Sequence, residues 1–171
     1  VALMLVGLIL RGVAFDFRIK AQDEWKPLWN FAFWAGSGIA AVAQGWMLGR
    51  YITGFAQGLE YTLFAAAIAL LLPAAYVLLG AAWLVMKTEG ALRDRAYHLS
   101  WILLFAMLGA IGAVSIATPF LSLQYTQRWF TWPNIVLTAP VPVAVAAVTV
   151  LLLRSLANKR DYQPFFLTLA L

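Results

Sequence analysis

Apolar residues in this chain come in long blocks, each closed by a short polar corner. Residues 27–49, 58–86, 99–121 and 134–153 form four such blocks. Each is long enough, at about 20 residues or more, for a helix to cross a hydrocarbon core. Pro27 sits at the start of the first block, where its missing N–H costs nothing. Pro73 lies inside the second and is expected to kink it, because its ring displaces the hydrogen bond to Ala69. Residues 1–10 are apolar or glycine and run straight into Arg11; ten helical residues rise only about 15 Å, half a span. A second short apolar run begins at Phe165. The most economical reading is a piece of a longer polypeptide, with short helices buried against a partner as the alternative. The predicted fold class is all-α: a polytopic transmembrane helix bundle of four complete spans plus partial helices at both ends, forming one transmembrane domain.

The corners between blocks differ in charge. Ten of the 12 basic residues fall in the first, third and fifth connections: Arg11, Arg18, Lys20 and Lys26, then Lys87, Arg93 and Arg95, then Arg154, Lys159 and Arg160. The second connection carries only Arg50 and the fourth only Arg128. Basic residues collect on the cytoplasmic side of a membrane protein, so the odd-numbered connections are assigned there. The second block then leaves the membrane at Trp83 and Lys87, an indole and an ammonium suited to the headgroup level. An opposite-side cluster of Phe120, Tyr125, Trp129, Phe130 and Trp132 is read as an interfacial aromatic belt, with a platform for a lipid-soluble substrate as the alternative. Ala106, Gly109, Ala110, Ala113 and Ala117 share one face of the third block, a pattern that permits close helix packing.

Composition agrees with the pattern. At 64% hydrophobic and 11% charged residues, the chain falls far short of the roughly 25% charged residues of a soluble domain. The absence of cysteine excludes disulfides, thiolate chemistry and cysteine-ligated clusters. A single histidine, His98, leaves no histidine pair for a haem or metal, and Met4, Met47, Met86 and Met107 lie on different segments. No Asp, Glu, Lys, Arg or His occupies the middle of the four blocks, where ion-coupled transporters and proton pumps usually place one. The basic residues are explained by topology, so no nucleic-acid partner is expected. The carboxylates sit at the edges: Glu60 at an outer helix start, Glu89 and Asp94 in a cytoplasmic corner. Asp16 lies between Phe15 and Phe17, just beyond the expected end of the first helix. It reads either as one member of an interfacial ion pair or as a proton-collecting carboxylate at the mouth of a pathway.

Two stretches resemble a known family. Arg11, Phe15, Asp16, Phe17, Arg18 and Lys20 match the R-x-x-x-F-[DE]-[FY]-R-x-K signature of subunit II of cytochrome bd-type quinol oxidases, which include cyanide-insensitive forms. Gly80, Ala81, Trp83, Leu84, Met86, Lys87, Thr88 and Gly90 match its G-A-x-[WY]-L-x-M-[KR]-T-x-G segment. The order, separation and cytoplasmic side of both segments also fit. The match is clear over residues 1–95 and rests mainly on hydropathy beyond. The family's first helices, with their G-F-D motif, and its last helices are absent from this chain.

The resemblance implies an accessory subunit that binds no cofactor itself. Its partner, subunit I, would carry haems b and d, or b alone, and oxidise quinol; a quinone is a further ligand that the resemblance admits. The complex would couple quinol oxidation to reduction of O2 to water in a bacterial or archaeal cytoplasmic membrane, among membrane lipid. By position in its motif, Asp16 corresponds to a residue implicated in proton uptake, with Arg11 and Arg18 as its candidate charge partners. No catalytic or metal residue is assigned. A permease or transporter subunit is the competing reading, since polytopic topology alone permits it.

Overall fold

A computed structural model describes residues 1–121, 140–160 and 162–171, with side chains described up to residue 116 in the helix that ends at Leu121. The described residues form helices and their connections: α1 (Ala2–Lys20), a 3-10 turn (Asp23–Trp25), α2 (Lys26–Ile52), α3 (Leu59–Lys87), α4 (Ala91–Leu121), α5 (Pro140–Ala157) and α6 (Gln163–Ala170). The fold is all-α. Four of these helices, α2 to α5, are long and apolar enough to cross a membrane, as the four blocks predict. The aromatic side chains expected to form an outer belt, and the start of the fourth span, lie outside the described residues.

Two boundaries differ from expectation for a shared reason. α1 does not stop at Arg11 but continues to Lys20, so Asp16 lies inside the helix rather than beyond it. α4 starts at Ala91, eight residues before the apolar block, and takes Arg93, Arg95 and His98 into its first turns. Charge alone does not end a helix. α1 carries Arg18 and Lys20 in its last turn, where cations meet the negative end of the helix dipole, and α4 carries Asp94 in its first. The chain turns instead where the backbone requires it, at extended Ala21 (φ −74°, ψ 144°) and at Gly90 (φ +67°). α3 is helical on both sides of Pro73.

The chain divides into two compact units at Pro73. In the first, α2 is the central element. Gly36 and Ala40 meet α1, whereas Gly45 and Gly49 meet α3. The nine positions from Gly36 to Gly45 carry the helix through about two and a half turns, so the two small pairs face opposite ways. The backbones approach closely: a Cβ on Gly36 would lie 2.7 Å from the Gly7 carbonyl oxygen and 2.8 Å from the Arg11 nitrogen. One on Gly45 would lie 2.7 Å from Ala69 Cα, and one on Gly49 2.5 Å from Ala65 Cα. Small residues permit this contact, which replaces the hydrophobic driving force that lipid removes.

The second unit is held by larger side chains. Leu78 and Val85 of α3, Ala96, Tyr97 and Leu104 of α4, and Leu152 and Leu156 of α5 make one buried cluster. Trp83 meets the Phe165 ring edge-on at 5.2 Å, and Lys87 Nζ stands 5.4 Å from the Trp83 ring centre. Of the five small residues expected to pack closely on α4, three are exposed, Ala110 is half-buried and the side chain of Ala117 lies outside the described residues. Ala106, Gly109 and Ala113 are exposed, and a Cβ on Gly109 would meet nothing within 4 Å. α4 packs through its Tyr97–Leu104 face instead.

Candidate functional site

Leu8, Arg11, Gly12, Phe15 and Asp16 recur at helical spacing, so continuing α1 past Arg11 brings them onto adjoining parts of one face. With Phe33 of α2 they line an open groove of about 490 Å³. Gly12 leaves its floor low, since a Cβ there would have no neighbour within 4 Å. The walls are apolar, and the two charged groups are the Arg11 guanidinium and the Asp16 carboxylate. Asp16 is exposed, and among the described residues it makes no ion pair. The groove therefore presents a carboxylate open to exchange with solvent, beside a fixed cation.

The two candidate charge partners are held elsewhere. The Arg11 guanidinium carbon lies 5.4 Å from the Phe33 ring centre, a cation–π geometry that keeps it on the groove wall. Arg18 Nε donates to Asn30 Oδ1 of α2, and beside it Phe17 stacks on Trp29 at 5.2 Å and 27°. Helical residues two apart do not face each other. Arg18 is bonded to α2 and is not among the residues that line the groove. Arg11 and Asp16 both line the groove; Arg18 does not. The residue at the i,i+4 position from Asp16 is Lys20, in the orientation that favours a carboxylate–ammonium pair.

Sequence reasoning did not single out Asn30 or Phe33. Their signal was present but depended on treating residues 11–20 as helix, which sets an antiparallel register pairing 18 with 30 and 11 with 33. The other edge carboxylates stay apart: Glu60 lies in the first turn of α3 and Asp94 in that of α4. His98 is an exposed residue of α4, and Met107 packs against the second unit's core. Among the described residues no group of three or more His, Cys, Asp or Glu side chains could hold a metal.

Comparison with known proteins supports the same direction. The family model described as cytochrome bd terminal oxidase subunit II matches residues 1–171. A curated protein of Haemophilus influenzae, named probable cytochrome oxidase subunit 2, is 33% identical over 115 residues, covering 58% of this chain and 30% of that protein. The chain thus corresponds to under a third of that relative's length. The match over the whole chain, two segments resembling the family's signatures and four membrane-crossing helices agree: the chain belongs to the cytochrome bd terminal oxidase subunit II family.

Proposed function

We propose that this chain is the haem-free accessory subunit of a bd-type terminal quinol oxidase, seated in a bacterial or archaeal cytoplasmic membrane against a haem-bearing subunit I. The partner's haems would carry electrons from quinol to O2. This chain's own residues pack, anchor and handle protons. The observation that carries the proton part is the α1 groove, in which exposed Asp16 and Arg11 share one surface. Reduction of O2 to water consumes protons, and the basic-residue count assigns this end of α1 to the cytoplasm. Asp16 takes up protons from water there and passes them toward the partner. Arg11, held over Phe33, keeps a positive charge on the groove that Asp16 also lines. Arg18, tied to Asn30, fixes the register of α1 on α2 and so the place of the groove.

Copurification tests the reading as a whole. The full-length subunit, tagged and extracted in mild detergent, is expected to bring down a partner with haem absorption and quinol-dependent oxygen uptake. A haem-free complex that moves a solute would contradict it.

A further inference from the structure

The second unit holds a cleft that the proton reading does not use. It lies where α5 ends and α6 begins, has a volume of about 430 Å³, and is lined in part by Leu151, Arg154, Ser155, Arg160 and Phe166. Its shape follows from how α5 terminates. Lys159 adopts φ +49°, Lys159 N–H donates to the Leu156 carbonyl (3.2 Å), and Arg160 N–H donates to the Ser155 carbonyl (3.0 Å). This left-handed closing turn folds Arg160 back to the cleft that Arg154 already lines. Tyr97 Oη donates to the Arg160 carbonyl at 3.3 Å and pins the turn to α4. Among the described residues neither arginine has a carboxylate partner.

Ser155 is the telling residue. It is 1% exposed, and its Oγ has no hydrogen-bond partner among the described residues. Four other helical hydroxyls among the described residues return to the carbonyl one turn back: Ser37 to Phe33, Thr62 to Gly58, Ser100 to Ala96, Thr168 to Pro164. Ser155 does not, although a buried orphan hydroxyl is costly. It lines the same cleft as Arg154 and Arg160, and α6 begins beside that cleft with no side-chain cap on its first N–H groups. Two cations, a hydroxyl donor and a helix N-terminus make an oxyanion-binding set. The remaining wall mixes polar Asn158 and Gln163 with an apolar side on which Leu151 is 51% and Phe166 60% exposed.

We propose that the α5–α6 cleft binds the phosphate of an anionic phospholipid, held by Arg154 and Arg160, with Ser155 Oγ donating to a phosphate oxygen. The upper acyl chain lies along Leu151 and Phe166. The side is consistent, since the basic-residue count assigns this end of α5 to the cytoplasmic leaflet, where anionic lipid attracts basic residues near the surface.

The test uses the full complex, delipidated in detergent and offered phosphatidylglycerol, phosphatidylcholine or inorganic phosphate, with bound lipid counted by native mass spectrometry. Wild type is expected to retain phosphatidylglycerol over phosphatidylcholine, and Arg154→Gln/Arg160→Gln to lose about 10–30-fold of that retention. Lys26→Gln, outside the cleft, should leave it unchanged. Ser155→Ala removes the orphan hydroxyl without adding bulk. It should melt no lower than wild type without lipid, yet gain less thermal protection from phosphatidylglycerol. Equal retention of the two lipids, undiminished retention in the double arginine variant, or full protection of Ser155→Ala would overturn the proposal. Displacement of phosphatidylglycerol by millimolar inorganic phosphate would also overturn it, by reassigning the cleft to free phosphate.

Discussion

The contact between α1 and α2 makes a sharp prediction, because Gly36 and Gly38 lie on one helix and differ only in what faces them. A methyl group at Gly36 would sit 2.7 Å from the Gly7 carbonyl oxygen, 2.8 Å from Arg11 N and 3.3 Å from Arg11 Cα. A methyl at Gly38 would meet nothing within 4 Å. Alanine at either site gains similar helix propensity, roughly 0.5–1 kcal/mol. That gain cancels in the comparison. To reach ordinary van der Waals distance of 3.4 Å, the methyl at position 36 must push α1 back by about 0.7 Å. The obstructing atoms are backbone and cannot rotate aside. Overpacking of this kind costs about 1–3 kcal/mol. Gly36→Ala should therefore be less stable than Gly38→Ala by about that amount in detergent unfolding of the purified subunit, followed by tryptophan fluorescence. Equal stability of the two variants would refute the close backbone approach.

Other outcomes follow from the turns and from the α1–α2 register. Gly54 sits at φ +60° with open space around its Cα, so Gly54→Ala should destabilise by about 1–2 kcal/mol through backbone strain alone. Lys159→Gly, at φ +49°, should stabilise by up to about 1 kcal/mol in the same unfolding assay. A double-mutant cycle on Arg18→Met and Asn30→Leu should return a coupling of about 0.6 kcal/mol, typical of interhelical bonds in membrane proteins. A coupling between Arg18→Met and Asp16→Asn of similar size, with none to Asn30→Leu, would reverse the assignment.

The spans were legible because hydrocarbon thickness fixes the length of an apolar block, and nothing in 27–49 or 58–86 competes with that signal. Helix ends were less legible where charge and backbone disagree. Arg11 and Arg93 look like the edges of loops, yet helices run through both until Ala21 and Gly90 turn the chain. That misplacement carried into the site: Arg18 could partner Asp16 on a loop, but on a helix it turns to Asn30. Small-residue patterns were ambiguous in a different way. The α4 set from Ala106 to Ala113 and the α2 set from Gly36 to Gly49 both permit close approach, and only the presence of a neighbouring helix decides which is used. The lone hydroxyl of Ser155 was invisible in the sequence, because its burial and its lack of a partner are properties of the packed helices and not of the residue type.

Asp16→Asn in the full complex asks whether Asp16 supplies protons to a haem-bearing partner. Quinol-driven oxygen uptake and proton uptake would be measured against haem content read from the visible spectrum. Slowed turnover and slowed proton uptake at unchanged haem content are expected, with activity recovered in Asp16→Glu. Unchanged turnover and proton uptake in Asp16→Asn would contradict that role.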